Sequence, residues 1–125
     1  EVGGAPVTYP IVADPELKVA KLYGMFHPKA DAAVTVRSVF FIDPKQVVRT
    51  VLTYPPSVGR SVDEILRTLD ALQVTDLKPV ATPVEWKPGD EVVVSPKLSD
   101  ADAEKQLGSF RTVKPYLRFT KAPKA

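Results

Sequence analysis

The chain has 125 residues, no cysteine and one histidine, so as given it can work alone neither as a thiol enzyme nor as a cysteine/histidine metalloenzyme. A net charge of +2, from 17 basic and 15 acidic residues interspersed along the chain, builds no clustered basic face for nucleic acid. No apolar run approaches the roughly 18 residues needed to span a bilayer, the start Glu1-Val2-Gly3-Gly4 lacks the layout of a signal peptide, and a chain without disulfides is expected in the reducing cytoplasm.

The length suits one small domain, and 44% hydrophobic with 26% charged residues allows a packed core. Thirteen prolines sit singly and at element edges, where they punctuate a fold. Residues 6–12, Pro-Val-Thr-Tyr-Pro-Ile-Val, read as a short strand. Asp14 as cap, Pro15 at the first helical position and Gly24 as stop predict a helix over 15–23, with Leu17, Ala20 and Leu22 or Tyr23 facing inward. A loop follows over 25–33. Residues 34–42 are dense in β-branched and aromatic side chains, Asp43-Pro44-Lys45-Gln46 is a turn, and 47–54 is a second strand, which together predict an antiparallel hairpin. The second strand alternates Val48, Thr50 and Leu52 against Val47, Arg49 and Val51, so one side is partly wet, as in an edge or interface strand.

Ser61-Val62-Asp63-Glu64 has the form of a capping box, and Val62, Ile65, Leu66, Leu69 and Leu72 then recur at helical spacing, predicting a helix to about Gln73. Beyond Thr75 the character changes. A proline-rich stretch over 78–90 carries the only tryptophan, Trp86. A short strand at 92–94, a capped helix over 99–107 ended by Gly108, and an extended piece at 116–119 follow. This portion reads as an irregular C-terminal arm or subdomain. The expected division is 1–75 and 76–125. The order strand-helix-strand-strand-helix is the second half of a thioredoxin-like α/β fold, which expects partner strands from a preceding βαβ unit. A Gly-Gly start leading directly into a buried-looking strand resembles the middle of a protein.

Arg37 stands in the middle of an otherwise apolar strand, where a guanidinium is costly unless it is paired or faces a pocket. It is either an arginine on the exposed face of a half-buried strand or an anion-stabilising group aimed into a site; its fixed charge and planar fork of donors suit the latter. Arg60 directly precedes the cap at Ser61, where a cation opposes the helix macrodipole unless an anion is near. It is either a solvated loop residue or a second cation acting with Arg37 on a reacting group. His27, alone in its loop, reads as a surface residue, and no acidic cluster has metal-ligand spacing, so no metal or cofactor is expected. Ser57, Ser61, His27 and Asp43 could be assembled into a triad on paper, but neither serine lies in a nucleophile-elbow pattern. Gly3-Gly4 is too isolated for a phosphate loop.

Read in order, "YPIVADPELKVAKLYGM", "TVRSVFFIDP", "YPPSVGRSVDEILRTLDALQVTD", "VATPVEWKPGDEVVVSP" and "KPYLRFT" resemble the C-terminal part of peroxiredoxins, nearest the one-cysteine type with a long C-terminal domain. The resemblance runs from about Pro6 to Thr120. It implies a thioredoxin-like fold and a thiol peroxidase that reduces hydrogen peroxide and organic hydroperoxides. In that family a cysteine in a Pro-x-x-x-Thr-x-x-Cys motif attacks the peroxide and is then reduced by a thiol donor. The motif has no counterpart here, which implies that the nucleophile belongs to a preceding half. The family's active-site arginine falls on Arg37 and a second arginine near the site on Arg60. The resemblance further implies a homodimer through the strand from Gln46 to Thr53, and a C-terminal domain reaching toward the partner subunit. The alternative is a non-catalytic dimerisation or interaction module derived from the same family.

Overall fold

A computed structural model describes residues 4–26 and 35–123; His27, Gly3 and most of the 25–33 loop therefore lie outside the described residues. The chain divides into two compact units, Glu1–Arg60 and Ser61–Ala125.

In the first unit, residues 6–12 form no strand. Pro6 and Pro10 each remove a ladder donor, and no strand of the described residues lies beside them. The helix α1 is Lys18–Leu22, shorter than the expected 15–23. Leu17 adopts the left-handed region (φ 56°), so Asp14-Pro15 belongs to a separate turn and the helix starts after it. Asp14 still caps that turn of helix: its carboxylate accepts from the Ala20 amide at 2.8 Å and the Val19 amide at 3.1 Å. The Ala20 amide above all holds the Asp14 carboxyl below its ordinary pKa. Gly24, at φ 62°, ends the helix, and the Met25 amide reaches back to the Ala20 carbonyl.

Strands β1 (Arg37–Ile42) and β2 (Val48–Tyr54) form the expected antiparallel hairpin. Asp43 makes its turn: the carboxylate accepts from the Lys45 and Val47 amides at 2.9 and 3.0 Å, and Arg49 lies 3.4 Å away. These bonds, the Val47 amide first, depress the Asp43 pKa. A bulge between Phe41 and Ile42 shifts the register by one residue.

The second unit opens with α2 (Val62–Leu77). Half of the expected capping box forms: the Ser61 hydroxyl accepts from the Glu64 amide at 3.3 Å. The Glu64 carboxylate turns along the helix instead, to both nitrogens of the Arg67 fork at 2.6 and 2.8 Å and to the Thr68 hydroxyl. A bidentate guanidinium offers it more than one backbone amide, and that pairing lowers the Glu64 pKa. The helix outruns the expected end at Gln73. It stops only at Lys78, which precedes Pro79 and is extended accordingly. The expected apolar stripe is wider than one packing surface. Ala71 and Val74 pack into the core, whereas Val62 and Leu66 stay 65% and 53% exposed.

The C-terminal part, expected to be irregular, holds a four-stranded antiparallel sheet in the order β3-β4-β6-β5, built from β3 (Val80–Ala81), β4 (Glu91–Val94), β5 (Arg111–Lys114) and β6 (Leu117–Lys121). Between β4 and β5 lies α3 (Asp100–Leu107), capped by Ser99 and closed by Gly108 as predicted. The core of this unit is Val74, Val80, Trp86 and Val92, with Ala71, Leu107 and Ala122 packed against it. The proline-rich stretch inserts its tryptophan. Glu85 and Gly89 take positive φ, Asp90 accepts from the Lys87 amide, and Trp86 Nε1 donates to the Asp90 carbonyl at 3.2 Å. No helix among the described residues is long and apolar enough to cross a membrane.

Candidate active-site arginines

The pleat of β1 sorts its side chains onto two faces. Arg37, Val39 and Phe41 share one face with their cross-strand partners Tyr54, Leu52 and Thr50. Ser38, Phe40 and Ile42 share the other with Thr53, Val51 and Val48, and the Ser38 and Thr53 hydroxyls bond at 3.0 Å. The Tyr23 ring meets Phe40 edge-on at 4.9 Å, so the α1 segment covers this second face. Arg37 emerges on the first face and is exposed.

Register then relates the two candidate arginines. Arg37 opens β1 and lies opposite Tyr54, the last residue of β2. From Tyr54 the chain runs six residues to Arg60, a reach of at most about 20 Å. Both cations therefore belong to the end of the hairpin opposite the Asp43 turn.

Their surroundings separate them from the other arginines. The chain has six. Arg49 lies beside Asp43, Arg67 is forked onto Glu64, Arg111 meets Glu91 at 2.7 Å, and Arg118 meets Asp100 at 2.6 Å. Arg37 and Arg60 have no ion pair or side-chain hydrogen bond among the described residues, and both are exposed. An unpaired guanidinium keeps its full charge and all its donors for a ligand. A guanidinium already paired with a carboxylate has fewer donors and less net charge to offer a second anion.

The other candidates do not assemble. Ser61 is engaged as a helix cap and Asp43 in the hairpin turn, and Ser57 is exposed in the 55–60 loop. Among the described residues no group of three or more acidic or histidine side chains could hold a metal. The residue that sequence reasoning passed over is Tyr54. Its position facing Arg37 depends on the bulge at Phe41/Ile42.

Two family models match the chain: the AhpC/TSA family over residues 3–51, and the C-terminal domain of one-cysteine peroxiredoxin over residues 71–109. The 1-Cys peroxiredoxin of Dictyostelium discoideum is 49% identical over 118 residues, covering 94% of this chain and 49% of the relative. The chain belongs to the peroxiredoxin family, of the one-cysteine type. A solved structure of the yeast mitochondrial 1-Cys peroxiredoxin superposes with a TM-score of 0.82 at 47% identity, covering 93% of this chain and 57% of the other. A peroxiredoxin 6 structure from Arenicola marina gives 0.85 at 37% identity, covering 94% and 58%. The peroxiredoxin fold of this chain is accordingly thioredoxin-like α/β. The chain spans about half the length of the curated peroxiredoxins it matches.

Proposed function

We propose that this chain is part of a thiol-dependent peroxidase that reduces hydrogen peroxide and organic hydroperoxides, whose peroxidatic cysteine lies outside these 125 residues. The observation that carries the reading is the pair Arg37 and Arg60 at one end of the hairpin, without acidic partners among the described residues. Membership of the peroxiredoxin family and the absence of cysteine from the chain support it.

In this reading a cysteine thiolate attacks one peroxide oxygen. The S–O bond forms as the O–O bond breaks, the thiolate becomes sulfenic acid, and the leaving oxygen departs as water or an alcohol after taking up a proton. Negative charge passes from sulfur to the leaving oxygen. Two guanidinium groups hold the thiolate form before attack and stabilise the oxygen charge during it. Two donor thiols then return the sulfenic acid to the thiol, releasing its oxygen as water and becoming a disulfide. The solved yeast relative is described with glutathione and thioredoxin systems, which makes a donor of that class the partner proposed here.

The proposed homodimer forms through residues 46–53. Among the described residues β2 pairs only with β1, so its outer edge presents free backbone groups, with Val47, Val48 and Val51 exposed beside it. The division into a thioredoxin-like part, 1–75, and a C-terminal domain, 76–125, is proposed as the family arrangement; the matched segments 3–51 and 71–109 fall largely on either side of it. A cytoplasmic location is proposed on the same footing as the reducing chemistry, with cell fractionation as its test.

Peroxide consumption by the complete gene product decides the reading. The expected result is turnover that iodoacetamide abolishes, and none from the 125-residue chain alone. Turnover that survives alkylation, or a cysteine-free complete product without turnover that still dimerises, would leave a non-catalytic interaction module in its place.

A further inference from the structure

We propose that Pro56 is a positioning residue for Arg60: the turn it presets fixes how the 55–60 loop leaves the end of the hairpin, and so where the backbone of Arg60 stands relative to that of Arg37. The proposal rests on the reading of Arg60 as the second cation and adds a residue to that site.

The loop has a fixed starting point. Tyr54 closes the β1–β2 ladder, paired with Arg37. Two prolines follow it, and each restrains two residues. Pro55 and Pro56 hold their own φ at about −65°. Each also bars the residue before it from the helical region, which confines Tyr54 and Pro55 to extended backbone. Pro56 then occupies the second position of a turn, Pro55-Pro56-Ser57-Val58, where a preset φ is what the turn requires. The turn is closed: the Val58 amide donates to the Pro55 carbonyl at 3.0 Å. From Tyr54 to Val58 the path of the chain is thus set by two rings and one hydrogen bond.

Arg60 needs such a path. Residues 55–60 are all exposed, so packing among the described residues does not hold the loop. A cation acts on a reacting charge from its average position, and its effect weakens as that position spreads. Proline restrains the loop from within the chain. That restraint holds whatever the complete protein places beside Arg60, and whichever acceptors the guanidinium donors find. Beyond Val58 one loose joint remains before the arginine, Gly59, the residue type with most backbone freedom. Releasing Pro56 adds a second joint, and Arg60 then swings on both.

The test compares Pro56→Gly and the milder Pro56→Ala with the unaltered complete, cysteine-bearing protein, each with Arg60 present and with Arg60→Ala. NMR relaxation of the backbone amides at Val58 and Arg60 reads the order of the loop, and the pH dependence of cysteine alkylation reads the thiolate. The expected result is an Arg60 amide as ordered as those of β2 in the unaltered protein and more mobile in Pro56→Gly, with Pro56→Ala between. Peroxide reduction should slow about two- to fivefold in Pro56→Gly, the scale of one proline's hold on the chain. The cysteine pKa should rise with it, because a wandering cation favours the thiolate less. Both effects should vanish when Arg60 is already alanine. An Arg60 amide already mobile in the unaltered protein, a loop order unchanged by Pro56→Gly, or a loss of rate that persists in full beside Arg60→Ala overturns the proposal. Should Pro56→Gly loosen the loop while Arg60→Ala leaves rate and thiolate unchanged, the reading of Arg60 fails and the positioning of its backbone stands.

Discussion

Replacing Trp86 by alanine removes the largest member of the second unit's core. The side chain is 2% exposed, packs with Val74, Val80 and Val92, and donates Nε1–H to the Asp90 carbonyl. Burying an aromatic of this size removes about 150–250 Å² from water, which at about 25 cal/mol per Å² is roughly 4–6 kcal/mol. Core truncations of tryptophan cost about 3–5 kcal/mol when measured. A unit running from Ser61 to Ala125 has a total stability of only about 3–10 kcal/mol at typical values per residue. Trp86→Ala therefore brings the unit to the edge of unfolding. Trp86→Phe keeps most of the apolar contact, loses the hydrogen bond, and should cost about 1–2 kcal/mol. With a urea slope of about 1 kcal/mol per M for so small a unit, Trp86→Phe should lower the midpoint by about 1–2 M. Amide exchange at Val92 and Val94, both fully buried, reads the transition without needing the tryptophan. A Trp86→Ala chain that keeps these two amides protected and its midpoint unchanged would refute the assignment of the core.

Three further outcomes follow from the same geometry. Arg118 is 4% exposed and donates to the Ser95 and Leu98 carbonyls as well as to Asp100, whose own side chain is 79% exposed. Arg118→Met should thus cost about 2–4 kcal/mol by stranding two carbonyls, while Asp100→Ala, which leaves the guanidinium on those carbonyls and removes an exposed carboxylate, should cost less; Trp86 fluorescence in urea reads both, and the reverse ranking would contradict the burial argument. Asp43 has its pKa lowered in the fold, so its contribution is fully present above the unfolded value and is lost as pH falls through the lower folded one. The Val47 and Lys45 amides should stay protected at and above about pH 4, the ordinary carboxylate value, and open only as the pH falls well below it, and an unchanged exchange pattern there would sink the turn assignment. Ser61→Ala removes the hydroxyl that accepts from the Glu64 amide and should cost about 1 kcal/mol in α2, seen as faster exchange in the first turn.

How legible each part was depended on whether its cause is local. The hairpin was readable because its turn chemistry and β-branched strands lie in one stretch of sequence. The ends of α3 were readable because Ser99 and Gly108 are local signals. The strands β3 and β5 were not: one has two residues and the other is mostly polar and exposed throughout, and each exists because β4 and β6 offer it a partner. Residues 6–12 have the composition of a strand but no strand to pair with among the described residues. Glu64 chose between two local partners, and side-chain reach along the helix decided for Arg67.

At the candidate site the residue types were readable and the geometry was not. Arg37 could have been a solvated strand residue or a site residue, and its lack of a partner among the described residues, beside four paired arginines, is what supports the second reading. Tyr54 was hidden by one residue. Counted back from the pair Ile42 and Val48 nearest the turn, Thr53 would face Arg37; the bulge at Phe41/Ile42 shifts the ladder and brings Tyr54 there instead.

The central claim, that Arg37 stabilises the charge of peroxide reduction, is tested most directly by stopped-flow oxidation of the complete cysteine-bearing protein with Arg37→Ala and Arg37→Lys. The account predicts that Arg37→Ala slows the reaction by about 10²–10³-fold, the usual loss when one charge-stabilising donor is removed. Arg37→Lys should recover only part of it, because an ammonium lacks the planar fork. An Arg37→Ala protein that folds as before and reduces peroxide at an unchanged rate would contradict it.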